Sequence, residues 1–189
     1  RSAADRFINL HPRHPHTSYA YYIRGLSSFT DDSGLFNRYF VSDLSKRDMG
    51  PAQNSFDDLS EFLSRYPESK YAPHAKQRMI YLRNLLAKHE MYVADFYMKR
   101  GAYLAALGRA KYVIEHIPNT PQTPFALSVL VEAYGKLDYQ ELKQSNLEVL
   151  KSNFPEFAIK VDTASGKRSW VNVISLGVFG DKGIPAPDA

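Results

Sequence analysis

Cysteine is absent from the 189-residue sequence. This absence excludes disulfides, zinc sites built on thiolates and cysteine nucleophiles, but it does not distinguish a cytoplasmic from a periplasmic protein. The sequence also lacks an apolar run of about 18 residues, so it predicts no membrane-spanning helix. The chain is nevertheless long enough for one domain with a substantial core, or for a short array of repeats.

Catalytic and metal-binding motifs are missing as well. The sequence has no phosphate-binding glycine loop, no Gly-x-Ser-x-Gly elbow and no His-Glu-x-x-His pair. His11, His14 and His16 lie close together in "HPRHPH", but no acid or cysteine completes a tetrahedral set there. We interpret this segment as a turn, with metal binding as the less favoured alternative. We expect no enzymatic activity, no catalytic residue and no cofactor.

Positive charge is concentrated in one part of the chain. The net charge is +4, yet the stretch from Lys70 to Glu115 has nine basic residues against three acids. Such a stretch indicates a solvated helix face or, less often, a surface for an acidic partner. Nucleic acid binding is a further alternative, but the charges are spread along a long helix and are not grouped with stacking aromatics. We therefore expect no nucleic acid partner.

Regular spacing marks the stretch "GAYLAALGRAKYVIEHIP", residues 101–118. Counted back from Pro118, Gly101, Tyr103, Ala106 and Ala110 stand at offsets of 17, 15, 12 and 8. This spacing resembles the tetratricopeptide pattern, a helix-turn-helix unit of about 34 residues. Small residues lie where two antiparallel helices approach closely, and glycine allows the tight turn between them.

The same frame recurs before Pro12, Pro67 and Pro155. The sequence therefore predicts an all-α fold, a tetratricopeptide-repeat α-solenoid with an irregular C-terminal extension. The four closing prolines are Pro12, Pro67, Pro118 and Pro155, and their successive spacings are 55, 51 and 37 residues. Each spacing exceeds the repeat length of about 34 residues. The excess predicts a long inserted loop at 31–50 in one repeat and an extended first helix in the next.

These signals divide the chain into five segments. We expect the second helix of a truncated repeat at 1–13, a repeat with the inserted loop at 14–69, a repeat with an extended first helix at 70–120, the last repeat at 121–155, and an irregular tail at 156–189. Because the first helix lacks its partner, we expect the chain to be a fragment without its first repeats. The extended helix covers 74–100, either unbroken or as two helices with a break near Lys88–His89.

The tail leaves the helical pattern and ends in a glycine- and proline-rich stretch. Inside it, "SWVNVISLGVFG" is apolar and β-branched, and it fits a helical face or a strand equally well. The favoured interpretation is a peptide that folds back and covers the exposed end of the repeat array. Docking of a partner and shallow insertion into a membrane surface are the alternatives, and Lys167 and Arg168 beside Trp170 favour an interface.

Longer stretches carry a more specific resemblance. "AADRFINLHPRHPHTSYAYYIRGLSSF", "DLSKRD", "SRYPESKYAPHAKQRMIYLRNLLAKHEMYVADFYMKRGAYLAALGRAKYVIEHIPNT" and "LVEAYGKL" together resemble the BamD family, lipoproteins of the bacterial outer-membrane β-barrel assembly machinery. The resemblance implies a non-enzymatic periplasmic scaffold, tethered to the outer membrane by an N-terminal lipidated cysteine that this sequence lacks. It implies binding to the periplasmic (POTRA) domains of BamA and to other Bam lipoproteins. The alternative function is a receptor for unfolded β-barrel substrates on the concave repeat surface.

The resemblance also indicates residues for the partner contact. Arg109 lies beside the stripe of small residues, where its stem can rest on apolar surface while its guanidinium faces outward. We expect it to pair with a partner's carboxylate, with a merely solvated flank as the alternative. The other predicted partner-binding residues are Lys99, Arg100 and Tyr103 near the turn at Gly101, Lys111 along the following helix, and Phe40, Asp43 and Arg47 in the inserted loop.

Overall fold

The computed structural model describes residues 1–29, 44–155 and 157, so Phe40, Asp43 and the tail from residue 158 lie outside the described residues. The described part contains seven α-helices, one 3-10 turn and no β-strand. The elements are α1 (Ser2–Leu10), α2 (Thr17–Ser28), the 3-10 turn (Leu44–Lys46), α3 (Gly50–Arg65), α4 (Ala72–Lys99), α5 (Tyr103–His116), α6 (Thr123–Lys136) and α7 (Gln140–Asn153). The predicted all-α fold of the tetratricopeptide type is confirmed.

Local chemistry sets both ends of α4. Pro73 stands in its first turn, where the missing N–H has no helical partner to lose. At the other end, Gly101 has a φ of +73°, in the left-handed region that glycine enters without strain. The Gly101 N–H donates to the carbonyl of Met98 at 3.0 Å, and the Ala102 N–H donates to that of Tyr97 at 2.9 Å. These two bonds close the helix end, which explains the glycine in the predicted turn.

The chain divides into two compact units, residues 1–89 and the residues from Glu90 onward, and the boundary lies inside α4. The helix itself is continuous over 28 residues. The extended helix is therefore confirmed, and the alternative of two helices with a break near Lys88–His89 is wrong. No helix in the described ranges is both long enough and apolar enough to cross a bilayer. The assignment of the helices to individual repeats stays a prediction.

The first unit is built around the close approach of α2 and α3. A Cβ added to Gly25 would lie 2.5 Å from Cδ2 of Leu59, so this approach requires glycine. The hydroxyl of Ser55 donates to the carbonyl of Gly25 at 2.7 Å across the same contact. Phe62 of α3 and Leu82 of α4 are fully buried in the core beside it. Each contributes roughly 1.5–3 kcal/mol by leaving water.

Charged side chains join α1, α2 and α3 beside this core. Arg24 of α2 lies 3.2 Å from Asp58 and 3.6 Å from Asp5, and it donates to Glu61. Burial opposes the charge on Arg24, but the hydrogen bond that Arg24 donates to Glu61 and the charges of the three carboxylates outweigh burial and raise its pKa. Burial also acts to raise the pKa of Glu61, whereas its bonds to Arg24 and Arg65 lower it overall. The cluster thus holds three helices together through charge-assisted contacts.

The second unit contains the rest of α4 together with α5, α6 and α7. From α5, Ala106, Ala110 and Val113 are fully buried, which confirms that the regularly spaced small residues form the packed face. The helix α6 is buried along residues 124–131. On its other side Leu127 packs against Leu150 of α7. Because these residues of α5 face the core, other side chains of the helix, including Arg109, are directed toward its surface.

Candidate protein-binding site

An open groove lies in the second unit, where α5 faces the second part of α4. Its volume is about 570 Å³. Its lining residues come from both helices and are Glu90, Tyr97, Ala105, Gly108, Arg109 and Tyr112. A Cβ built on Gly108 would contact nothing within 4 Å, so the wall at this position is open to solvent. The groove can therefore receive a side chain from another molecule.

Arg109 is the cation of this groove, and Glu90 is its partner. Nη1 of Arg109 donates to Oε2 of Glu90 at 3.2 Å. The arginine side chain is 44% exposed, while the glutamate side chain is only 15% exposed. Partial burial opposes the charge on Arg109, but the hydrogen bond and charge of Glu90, followed by Tyr97, outweigh it and raise the pKa of Arg109. The guanidinium is thus charged, held in place on one side and accessible on the other.

Aromatic side chains complete the groove around this cation. Tyr97 lines the groove and is one of the groups that raise the pKa of Arg109. Tyr112 is 41% exposed, and its ring stacks on that of His116 with centroids 4.7 Å apart. An arginine has donors in a planar fork that matches a carboxylate, and aromatic faces receive apolar or aromatic side chains. The arrangement suits an acidic residue next to an apolar residue on a partner's surface.

The basic residues at the end of α4 have local partners. Nζ of Lys99 lies 2.6 Å from Oδ2 of Asp95, a carboxylate whose side chain is only 6% exposed. The guanidinium of Arg100 lies over the ring of Phe96, 4.3 Å from its centroid. Phe96 is itself 44% exposed. Arg100 and Phe96 thus form a cationic and aromatic surface at the C-terminal end of α4, next to the turn at Gly101.

The remaining predicted residues do not join Arg109 in one cluster. Lys111 is two positions further along α5 and lies over the ring of Tyr134 in α6, 5.9 Å from its centroid, whereas Arg109 faces α4. Tyr103 is half-buried at the first position of α5. Arg47 belongs to the first unit and is exposed directly after the 3-10 turn. Whether any of these residues binds a partner stays a prediction.

Glu90, Tyr97 and Tyr112 line the groove but are not among the partner-binding residues predicted from the sequence. Glu90 is one of only three acids in the basic stretch, and it precedes Arg109 by 19 positions. An isolated acid on the first helix of a repeat, opposite an arginine on the second, is a signal for such a pair. The signal needs the helix pairing to be known first, because nothing in the local pattern relates the two positions.

The histidine-rich segment connects α1 to α2, which confirms its interpretation as a turn. The rings of His11 and His14 have centroids 6.3 Å apart, and those of His14 and His16 are 5.2 Å apart. The backbone N–H of His16 donates to Nδ1 of His14 at 3.1 Å, so this nitrogen serves the turn. Across the described ranges, no group of three or more potential metal ligands is placed to hold an ion.

Comparison with known proteins gives a consistent family. The model of the YfiO family, described as outer membrane lipoprotein, matches residues 1–150. The chain is 42% identical over 155 residues to the outer membrane protein assembly factor BamD of Neisseria gonorrhoeae, covering 82% of this chain and 58% of that protein. The corresponding protein of Xylella fastidiosa is 39% identical over 155 residues, with 82% and 53% covered. That of Vibrio cholerae is 32% identical over 149 residues, with 79% and 62% covered. The chain therefore spans less than two thirds of the length of each of these relatives.

Proposed function

The chain belongs to the YfiO family of outer membrane lipoproteins, and from this premise we propose that it is a non-enzymatic scaffold for assembly of outer membrane proteins. Its place is the periplasmic face of the outer membrane, where a lipid anchor on the full-length protein tethers it. Its partners are the periplasmic (POTRA) domains of BamA and the other Bam lipoproteins. The names of the relatives, which are assembly factors, support this assignment.

The groove around Arg109 is the surface that we assign to the BamA contact. The supporting observation is the half-exposed guanidinium, held by Glu90 at 3.2 Å in a groove that also contains Tyr97 and Tyr112. A partner's carboxylate can add to the free side of this fork without displacing Glu90. Arginine and tyrosine are also the residue types that most often dominate binding energy at interfaces.

Replacement of Arg109 tests this assignment. Arg109→Gln keeps a donor for Glu90 but removes the charge, so we expect affinity for purified BamA periplasmic domains to fall about 10-fold. The matched control is Arg6→Gln, which removes an exposed arginine from α1 in the first unit. Dissociation constants from isothermal titration calorimetry provide the measurement. Equal affinity of the two variants would contradict the assignment.

A charge swap separates the partner contact from the internal ion pair. Arg109→Glu alone places two carboxylates beside each other and should lower Tm. Combining it with Glu90→Arg restores an ion pair of reversed direction, so Tm should return toward the wild-type value. Binding should remain weak, because the accessible charge now has the wrong sign for a partner's carboxylate. Recovery of both Tm and binding in the double variant would reduce Arg109 to a structural role.

An aromatic cavity in the first unit favours the second candidate function, a receptor for unfolded β-barrel substrates. It has a volume of about 670 Å³ and is lined by Pro15, His16, Ser18, Tyr19, Ser69, Lys70 and Tyr71. The rings of Tyr19 and Tyr71 have centroids 5.2 Å apart, and Nζ of Lys70 lies 5.1 Å from that of Tyr71. Tyr19 is 44% exposed. Binding of a labelled β-barrel peptide without BamA, weakened by Tyr19→Ala, would support this candidate, and absence of binding would contradict it.

A further inference from the structure

The helix α7 has an exposed apolar strip beside the face that makes its core contacts. Its inner side is marked by Leu150, which is fully buried against Leu127. Leu142 and Val149 are 47% and 44% exposed, and because they are seven residues apart they lie on one face of the helix. Single exposed apolar residues are normal on a protein surface. Two in line among the exposed polar residues of α7 form a strip that another segment can cover.

The chain after α7 turns back onto the pair of helices that it has just left. The N–H of Phe157 donates to the carbonyl of Phe154 at 3.0 Å. The ring of Phe157 meets that of Phe125 edge to face, with centroids 4.9 Å apart. Phe157 also packs against the cluster of Leu127 and Leu150. The following residues therefore start beside the C-terminal end of α7.

The following segment is long enough to return along α7. The helix has 14 residues and so a length of about 21 Å. Twelve residues separate Phe157 from Trp170, and in extended form they span about 40 Å. Seven of the ten residues at 170–179 are apolar, namely Trp170, Val171, Val173, Ile174, Leu176, Val178 and Phe179. The apolar part of the tail can reach any point on the exposed strip.

The charges on one side of the strip and those just before this apolar segment have opposite signs. Glu141 and Glu148 immediately precede Leu142 and Val149, are exposed, and share a face through the same seven-residue spacing. In the tail, Lys167 and Arg168 lie three and two residues before Trp170, respectively. When the apolar parts meet, a neighbouring pair of cations and a pair of carboxylates come within reach of each other. Like charges at these positions would oppose the contact.

We propose that residues 167–179 pack intramolecularly on this face of α7, with the apolar part on Leu142 and Val149 and the two cations near Glu141 and Glu148. The tail then shields the outer side of the last described helix, as a cap does in repeat proteins whose terminal face would otherwise be exposed. The inference is independent of the proposed function, since it concerns one chain and needs neither BamA nor a substrate.

Fluorescence tests this contact directly because Trp170 is the only tryptophan of the chain. We expect blue-shifted emission and reduced acrylamide quenching relative to a synthetic peptide of residues 158–189, which is the solvent-exposed reference. In a Leu142→Asp, Val149→Asp double variant the emission should shift to that of the peptide. The matched control is Leu104→Asp, which alters a leucine of α5 that is 67% exposed and should leave the emission unchanged. Circular dichroism at 222 nm checks that each variant is folded.

A charge-reversal pair leaves the apolar strip intact. Lys167→Glu with Arg168→Glu should red-shift the emission, and adding Glu141→Lys with Glu148→Lys should restore the blue shift. Three results would overturn the proposal. These are emission equal to that of the peptide in the wild type, a blue shift that disappears on dilution and so reports a second copy, and a blue shift that survives the double aspartate variant.

Discussion

We expect Glu132 to make the free energy of unfolding depend on pH. This residue lies on α6 between Val131 and Ala133, both buried, and is itself only partly exposed. Burial raises the pKa of its carboxyl from 4.5 to about 7, although the nearby charge of Lys136 acts in the opposite direction. The folded protein therefore keeps a proton on Glu132 at a pH where the unfolded chain has released it.

The sign of the effect follows from proton binding. Between pH 4.5 and about 7 the folded state binds more protons than the unfolded state, so stability falls as pH rises through this window. At 1.36 kcal/mol per pH unit the interval corresponds to roughly 3 kcal/mol, which partial exposure of the carboxyl reduces to about 1–2 kcal/mol. Glu132→Gln has nearly the same shape and cannot ionise. It should raise the free energy of unfolding by that amount at pH 8 and change it little at pH 4.5.

Urea unfolding at both pH values measures this difference. The wild type, Glu132→Gln and the control Glu115→Gln, which changes an exposed glutamate on α5, are compared by circular dichroism at 222 nm. We expect only Glu132→Gln to flatten the decline in stability between pH 4.5 and pH 8. If Glu132→Gln shifted the free energy of unfolding equally at both pH values, the change would reflect altered packing. Ionisation of the buried carboxyl would then not be the cause of the pH dependence.

Two further substitutions test the packing and the ion pairs. Gly25→Ala places a Cβ 2.5 Å from Cδ2 and 3.2 Å from the backbone N of Leu59, so we expect thermal or urea unfolding to show a loss of about 1–3 kcal/mol. Gly108→Ala is its control, because its Cβ meets nothing within 4 Å, and we expect a gain of up to about 1 kcal/mol. Asp58→Asn removes a carboxylate 3.2 Å from Arg24, both side chains being nearly buried, and should cost about 2–4 kcal/mol in urea unfolding at pH 7. An unchanged Asp58→Asn variant would show that Glu61 and Asp5 alone suffice for Arg24.

The features predicted correctly from the sequence are those that repeat along the chain or depend on a single backbone position. Ala106, Ala110 and Val113 are fully buried because helical spacing places all three on one face. Gly101 adopts a positive φ because the end of α4 requires it. Such signals can be read locally, since each involves one helix or one turn at a time.

The features that sequence reasoning missed depend on contacts between helices. Glu90 and Arg109 form a pair through the facing of α4 and α5, and nothing in the spacing of either helix indicates it. Arg24 similarly collects carboxylates from two other helices. The division of the chain inside α4 was also missed, because an unbroken helical pattern carries no mark where its packing partners change. Long-range pairing is thus the information that local patterns lack.

The position of Arg109 in its groove affects how much a partner contact can contribute to the binding free energy. A half-exposed ion pair such as Arg109–Glu90 adds only about 0–1 kcal/mol to stability, so its main physical effect is to hold the guanidinium in one place. Ordering a free arginine side chain costs up to about 2 kcal/mol of conformational entropy. Because the pair with Glu90 already restricts the side chain, less of this entropy is lost when a partner binds. Glu90 also repels an incoming carboxylate, but the solvent that reaches the exposed side of Arg109 screens that repulsion. Preorganisation should therefore outweigh repulsion in the proposed contact, because a partner's carboxylate would meet an arginine already directed toward it.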